Sequence, residues 1–196
     1  MAKRRKLNKD RVLATAVELA DESGGMGELT LTALANALDV RVPSLYNHID
    51  GLDGLHDELS LLAGQMLLER IRQAAFGKTG REALWAMAHA YRTFAHEQPA
   101  LYPLTIVAPD PDQVRRTAVA QEWLQMLLLT MASLGLREEE ALHAIRAFRS
   151  LLHGFVSLEA AGGFKMDLDV DESFDFLLKN LLNSIDQEST CFPTDS

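Results

Sequence analysis

A single cysteine, Cys191, stands in 196 residues, which rules out an internal disulfide framework and a thiolate metal cluster and fits a reducing compartment. No apolar run approaches the roughly 18 residues that a membrane-spanning helix needs. The basic start "MAKRRKLNKDR" is not followed by the apolar stretch and cleavage site of a secretory signal. Strand-like alternation, internal repeats and low-complexity segments are missing too. Catalytic patterns are equally scarce. No Ser-His-Asp order sits in a nucleophile elbow, no Gly-rich loop follows a strand, and no His-Glu pair has metal spacing. "DLDVDES" superficially suggests calcium, but the central Gly and terminal Glu of an EF-hand are absent. The chain is expected to be cytoplasmic, not an enzyme, without cofactor or metal, and away from the membrane.

What remains is a soluble globular composition, 47% apolar and 24% charged, long enough for one large domain or two small ones. The net charge of −9 hides an asymmetry. Lys3, Arg4, Arg5, Lys6, Lys9 and Arg11 face Asp10 alone within the first eleven residues, so a basic arm precedes a strongly acidic body. Nucleic-acid binders that touch phosphates at one end look like this, and so do solubilising tails.

Apolar spacing predicts helix after helix, hence an all-α fold. The first runs from Asn8 to the glycine pair at 24–25. Two short helices, "TLTALANAL" and "PSLYNHI", follow. Longer ones are expected near 53–75, 81–98, 112–134, 137–161 and 172–186. The seam between short and long helices near residue 50 divides the chain into domains 1–50 and 51–188, with 189–196 a loose tail.

"VRVPSLYNHID", residues 40–50, crowds hydrogen-bonding side chains onto a short segment. Thr30 fits a helix N-cap whose hydroxyl accepts from the backbone N–H near Ala33. Pro43 keeps Val42 out of the helical region and suits a first helical position. Leu45 and Ile49 pin the second helix to a core, leaving Arg41, Ser44, Asn47 and His48 outward with Tyr46 on the flank. Two short helices joined by a tight turn, the second with a polar and aromatic outer face, make a helix-turn-helix suited to the major groove.

"LTLTALANALDVRVPSLYNHIDGLDGLHDEL" resembles the DNA-binding module of TetR (tetracycline-repressor) family regulators, over roughly residues 8–60. "RSLLHGFVSLEAAGGF" (149–164) is similar to the C-terminal part of one branch of that family. The resemblance implies an N-terminal helix-turn-helix domain and a C-terminal helical domain for effector binding and dimerisation. It also implies a homodimer on a palindromic double-stranded DNA operator, released by a small apolar or amphipathic ligand. Two positions depart from the family. Asp39 replaces the usual turn Gly, and Asp tolerates the left-handed conformation better than most residues. Leu52, flanked by Asp50 and Asp53, replaces a Lys near a phosphate, so a helical dimeric adaptor or receptor with weakened DNA binding stands as the alternative.

The candidate DNA-binding residues are Arg4 and Arg5 of the arm, Thr30 and Thr32 near the phosphates, and Arg41 through Ser44. Tyr46, Asn47 and His48 complete them, Val42 and Pro43 being included at the helix entry. Tyr46 has a second reading as a ring capping the small core, His48 as a cation at a helix end, and Thr30 is an N-cap before it is a phosphate ligand.

In helix 137–161, Ala147, Ser150, Gly154, Ser157 and Ala161 form a stripe of small residues that lets another helix approach closely. With Phe174, Leu178, Leu181 and Ile185 of the last helix they are the expected dimer interface, a four-helix bundle between subunits; packing inside one subunit is the other reading. On helix 81–98, Leu84, Ala88, Tyr91 and Ala95 read as core, and Trp85, His89, Arg92 and His96 as a second stripe. Arg92 between the two imidazoles argues against a metal. Trp85 and His89 are expected to edge a ligand cavity with Met66, Trp123 and Met126, closed by Phe148 and Leu152.

Overall fold

The computed structural model describes residues 7–191, with side chains described to residue 185. Arg4 and Arg5, and the last residues of the expected tail, lie outside the described residues. Among the described residues there are eight α-helices and no strand. No helix among them is long and apolar enough to cross a membrane. The chain forms two compact units, 1–66 with 98–117 and 67–97 with 118–196. The division therefore falls beyond the seam expected near residue 50.

In the first unit α1 (Lys9–Ser23) begins where Asn8 Oδ1 accepts from the Arg11 N–H at 3.0 Å. It ends at Gly24, whose φ of 84° closes the helix in the left-handed region. A 3₁₀ turn, Met26–Glu28, leads to α2 (Leu31–Ala37). As expected, Thr30 caps α2, its Oγ1 accepting from the Ala33 N–H at 3.1 Å. The turn after α2 survives the missing glycine, because Asp39 takes φ 53°.

Next comes α3 (Val42–Leu45), and here two expectations change. Val42 is the first helical residue rather than an excluded one, and the extended residue is Arg41. Pro43 still fits, because none of the first four N–H groups of a helix has an intrahelical partner. The helix is also a single turn, shorter than the expected 43–49. Residues 46–48 continue as turns, with the His48 and Ile49 N–H groups donating to the Leu45 carbonyl.

The polypeptide then enters α4 (Gly51–Ala75), which belongs to the first unit up to Met66. Val12, Ala16, Leu34, Leu45, Leu55 and Leu59 have no accessible surface, and burying each leucine or valine contributes about 1.5–3 kcal/mol. Segment 98–117 is tied to α1 where the Ala100 N–H donates to Asp21 Oδ1 at 3.2 Å. It carries a 3₁₀ turn, Tyr102–Thr105, and the start of α6 (Val114–Ser133).

The second unit holds the end of α4, α5 (Gly80–Glu97), the rest of α6, α7 (Glu138–Ala160) and α8 (Val170–Cys191). Its core is Leu84, Met87, Phe94, Leu127, Phe148, Leu152, Phe174 and Leu178. Leu84, Ala88, Tyr91 and Ala95 of α5 are buried as expected. Asp169, in the acidic segment that mimics calcium ligands, is a helix cap. Its Oδ1 accepts from the Asp171 and Glu172 N–H groups at 2.7 and 3.1 Å, satisfying free donors at the positive end of α8. The helix outruns its expected end and includes 189–191 of the supposed tail; no glycine or proline interrupts it before Pro193.

The expected dimer surface needs correction on α8. Phe174, Leu178 and Ile185 are buried in their own subunit, with the Phe174 ring 5.0 Å from that of Phe155. They cannot offer side chains to a partner. Leu181 remains half-buried, and Phe176 and Leu177 are exposed, Phe176 at 71%. α8 is apolar on two sides, and the subunit's own core takes one of them. The α7 stripe fares differently. Ala147, Ser150 and Ala161 are exposed, Gly154 and Ser157 half-buried, and a Cβ added at Gly154 would meet nothing within 4 Å. The stripe lies opposite the buried Ala141, Ala144, Phe148, Leu152 and Phe155.

Candidate nucleic-acid interface

Around α3 the structure separates anchors from readers. Leu45 and Ile49 are buried at 0% and 4% exposure. Thr30, Thr32, Arg41, Pro43, Tyr46 and Asn47 are exposed, and Val42, Ser44 and His48 are half-buried. Tyr46 at 56% exposure stands off the core, so its capping reading falls away. His48 lies just past the end of α3, its N–H donating to the Leu45 carbonyl at 2.8 Å. Asn47 has one long contact, its Nδ2 donating to the Ser44 carbonyl at 3.5 Å, which leaves most of its amide free for base edges.

Beside these residues lies an open recess of about 580 Å³, lined by Asn36, Asp39, Val40, Arg41 and Ser44. It combines amide, hydroxyl and guanidinium groups, the side chains that read base edges and phosphates. Leu52 is 37% exposed, with exposed Asp50 and Asp53 on either side. The α4 start therefore offers a phosphate no cation at these positions.

In the second unit, the stripe of α5 forms a charged network rather than an apolar pocket. Arg92 donates to both Glu159 oxygens, at 3.0 and 2.6 Å, and to Asp171 Oδ1 at 2.7 Å. Its guanidinium lies over the Phe155 and Phe174 rings, 5.5 and 4.9 Å from their centroids. His96 Nε2 meets Glu159 Oε2 at 2.8 Å. His89 Nε2 faces Asp175 Oδ1 at 3.0 Å, both atoms shut off from solvent but misaligned for a hydrogen bond. Among the described residues no three His, Cys, Asp or Glu side chains group so as to hold a metal.

The Arg92 hydrogen bonds hold the Glu159 carboxyl below the usual carboxylate range, outweighing burial, and the same pair raises the Arg92 guanidinium further. A depressed folded pKa contributes stability above the unfolded value, and that contribution is lost as pH falls through the folded one. Glu159→Gln should therefore be less stable than the native chain at neutral pH, with the gap narrowing once the pH drops below the ordinary 4.5. Urea melts across that range test this; a constant gap refutes it.

A recess of about 440 Å³ opens beside this network, walled by His89, Arg92, Thr93, His96, Glu97, Asp171 and Asp175. Of the expected cavity residues only His89 lines it. Trp85 lies against His89, their ring centroids 5.4 Å apart and the planes tilted by 42°. Trp123 and Met126 are half-buried, and Phe148 and Leu152 are core residues with no accessible surface. Met66, 36% exposed, belongs to the other compact unit.

Comparison with known proteins decides the family. Residues 84–181 match the model of the tetracyclin repressor-like C-terminal domain. The chain is 33% identical over 187 residues to YobS, an HTH-type transcriptional regulator of Bacillus subtilis (strain 168), covering 94% of this chain and 96% of that one. It belongs to the TetR family. A second relative, the HTH-type transcriptional regulator Rv0681 of Mycobacterium tuberculosis (strain ATCC 25618 / H37Rv), is 30% identical over 191 residues, with 97% and 87% of the two chains covered. Among solved structures, a TetR variant from Acinetobacter baumannii AYE in complex with minocycline superposes with a TM-score of 0.68. It is 26% identical, over 94% of this chain and 99% of that one. The chain is thus a TetR-type transcriptional regulator and not an enzyme. Regulators of this family bind DNA and small-molecule ligands, often as dimers.

Two groups escaped the sequence reading. Asn36 shares the α3 recess with Arg41 and Ser44; its exposed place beside the buried Leu34–Ala35 pair could have marked it. Glu159, the partner of both Arg92 and His96, lies so far from them in sequence that no spacing rule connects them.

Proposed function

We propose that the chain is a homodimeric repressor that holds a palindromic operator through α3 and releases it when a small ligand binds. The observation that carries the DNA half is the array of exposed polar side chains around α3, backed by the buried Leu45 and Ile49. Ser44 and Asn47, with Asn36, address base edges; Thr30, Thr32, Tyr46 and the arm residues Arg4 and Arg5 address phosphates; Arg41, Val42, Pro43 and His48 frame the contact. Dimerisation uses the small stripe of α7 with Leu177, Leu181 and Phe176 of α8, two pairs of helices forming a bundle across a two-fold axis. The ligand half draws support from the minocycline-bound relative, and the domain carrying the matched C-terminal model is where the ligand enters.

The test is selection of bound fragments from genomic DNA, with and without a metabolite extract. The chain should enrich a sequence with two-fold symmetry, and an active extract should release it. Asn47→Ala should then weaken binding to the selected sequence by about 1–3 kcal/mol and leave random DNA almost unaffected. Equal losses on both DNAs would remove Asn47 from base readout. Failure to enrich any sequence would favour a dimeric adaptor, to which the missing cation at Leu52 already points.

A further inference from the structure

Two carboxylates on the first turns of α4 gather cations from elsewhere in the same unit. Glu58 Oε1 takes Lys9 Nζ of α1 at 2.6 Å and Arg115 Nη1 of α6 at 2.8 Å. Asp57 Oδ1 accepts from Gln113 Nε2 at 2.7 Å and lies 3.6 Å from Arg116 Nη1. The strand of polar contacts continues beyond them. Arg116 donates to Gln113 Oε1 at 2.9 Å, and that oxygen also accepts from the Asp110 N–H at 2.9 Å. Glu58 is the least exposed member of the trio it forms, 21% against 40% for Lys9 and 65% for Arg115.

We propose that Glu58 is a positioning residue for DNA readout: by drawing α1 and the start of α6 onto α4, it fixes the orientation of α3. The chain passes from α3 into α4 within six residues, Leu45 to Gly51, so the direction of α4 governs how α3 is presented. A single exposed ion pair carries little weight. One carboxylate shared by two helices acts differently, because releasing it frees both at once. Burial works to raise the Glu58 carboxyl, but the hydrogen bonds and charges of Lys9 and Arg115 outweigh it and hold the group below the usual carboxylate range. Both ties therefore persist at neutral pH. Base contacts need side chains aligned to particular atoms, whereas phosphate contacts tolerate displacement. A positioning residue should consequently affect selected DNA and random DNA differently.

This inference rests on the DNA-binding reading, and the experiment separates the two. The native chain is first used to select a genomic fragment; a native chain that selects none overturns both. With a selected fragment in hand, Glu58→Gln should weaken binding to it about tenfold. Binding to a scrambled duplex should stay level or strengthen slightly, because a negative charge has been removed. Opposite responses of the two DNAs establish positioning, since a purely electrostatic role moves both the same way. A joint change, or an unchanged affinity for the selected fragment, overturns the proposal. If Glu58→Gln melts before measurement, Arg115→Gln takes its place at a mostly exposed position. Losing a cation weakens binding to any duplex, so this variant should lose about threefold more on the selected fragment than on the scrambled one, and equal losses overturn the proposal equally.

Discussion

Arg92→Met should destabilise the chain by about 3–5 kcal/mol, because it strands Glu159 in a mostly dry site. Glu159 keeps only 16% of its side-chain surface and Arg92 only 11%. The methionine replaces the contact with Phe155 and Phe174 but not the charge, and the loss of the guanidinium over those rings adds to the deficit. The Asp171 contact matters little, since that carboxylate is largely exposed. Domains are stable by only about 5–15 kcal/mol, so the loss is a large fraction of the whole. Without its arginine, Glu159 keeps only His96 as a partner, and burial then pushes its carboxyl pKa up. The defect should therefore be greatest at neutral pH and shrink on acidification, as the carboxyl takes up a proton. Combining Arg92→Met with Glu159→Leu should recover most of the stability, because an apolar pair replaces a buried ion pair with little loss. Urea melts at fixed protein concentration measure all three variants. A single substitution that loses under 1 kcal/mol, or a double no better than the single, rejects this account of the network.

Gly154→Leu should produce a folded monomer with little affinity for a two-fold operator. Nothing in its own subunit lies within 4 Å of a Cβ at this position, so the leucine meets no internal obstacle. Replacing a mid-helix glycine even favours α7 by roughly 1 kcal/mol on the alanine scale. Across a two-fold axis the same side chain occurs twice where two helices approach closely, and overpacking typically costs about 1–3 kcal/mol for each. Helix content should thus hold or rise while sedimentation shifts to the monomer. Gly154→Ala separates the two effects, keeping the helix gain with a methyl group small enough for close approach. A leucine variant that remains a tight dimer at nanomolar concentration would move the interface to another surface, α6 first. The small stripe would then need another explanation than contact between subunits.

The parts legible from sequence were those governed by neighbours along the chain. The Asn8 and Thr30 caps, the stop at Gly24 and the left-handed Asp39 each depend on a few adjacent residues, and each forms as read. The inward face of α5 was legible for the same reason, since apolar spacing fixes one side of a helix. On α8 that rule failed. Phe174 and Leu178 on one side and Phe176 and Leu177 on another are comparably apolar, and only packing decides which side the subunit keeps. Arg92 was noticed as an obstacle to metal binding, whereas its role is to bind Glu159 from 67 residues away. Lys9 was assigned to a phosphate-seeking arm, yet it is held by Glu58. Such pairings are decided by tertiary contact, and no local period encodes them.

Asp39 also bears on how readily this regulator can change. Its codon lies a single base away from that of glycine, so the substitution is within easy mutational reach. Glycine would relieve the left-handed strain of φ 53°, worth no more than about 1–2 kcal/mol. It would return about 0.4–1 kcal/mol of that by loosening the unfolded chain. On the backbone side the exchange is thus small, but the recess beside α3 would lose its one carboxylate among Asn36, Val40, Arg41 and Ser44. If α3 grips DNA as proposed, the turn is a point where that grip can drift over generations by a single-base change.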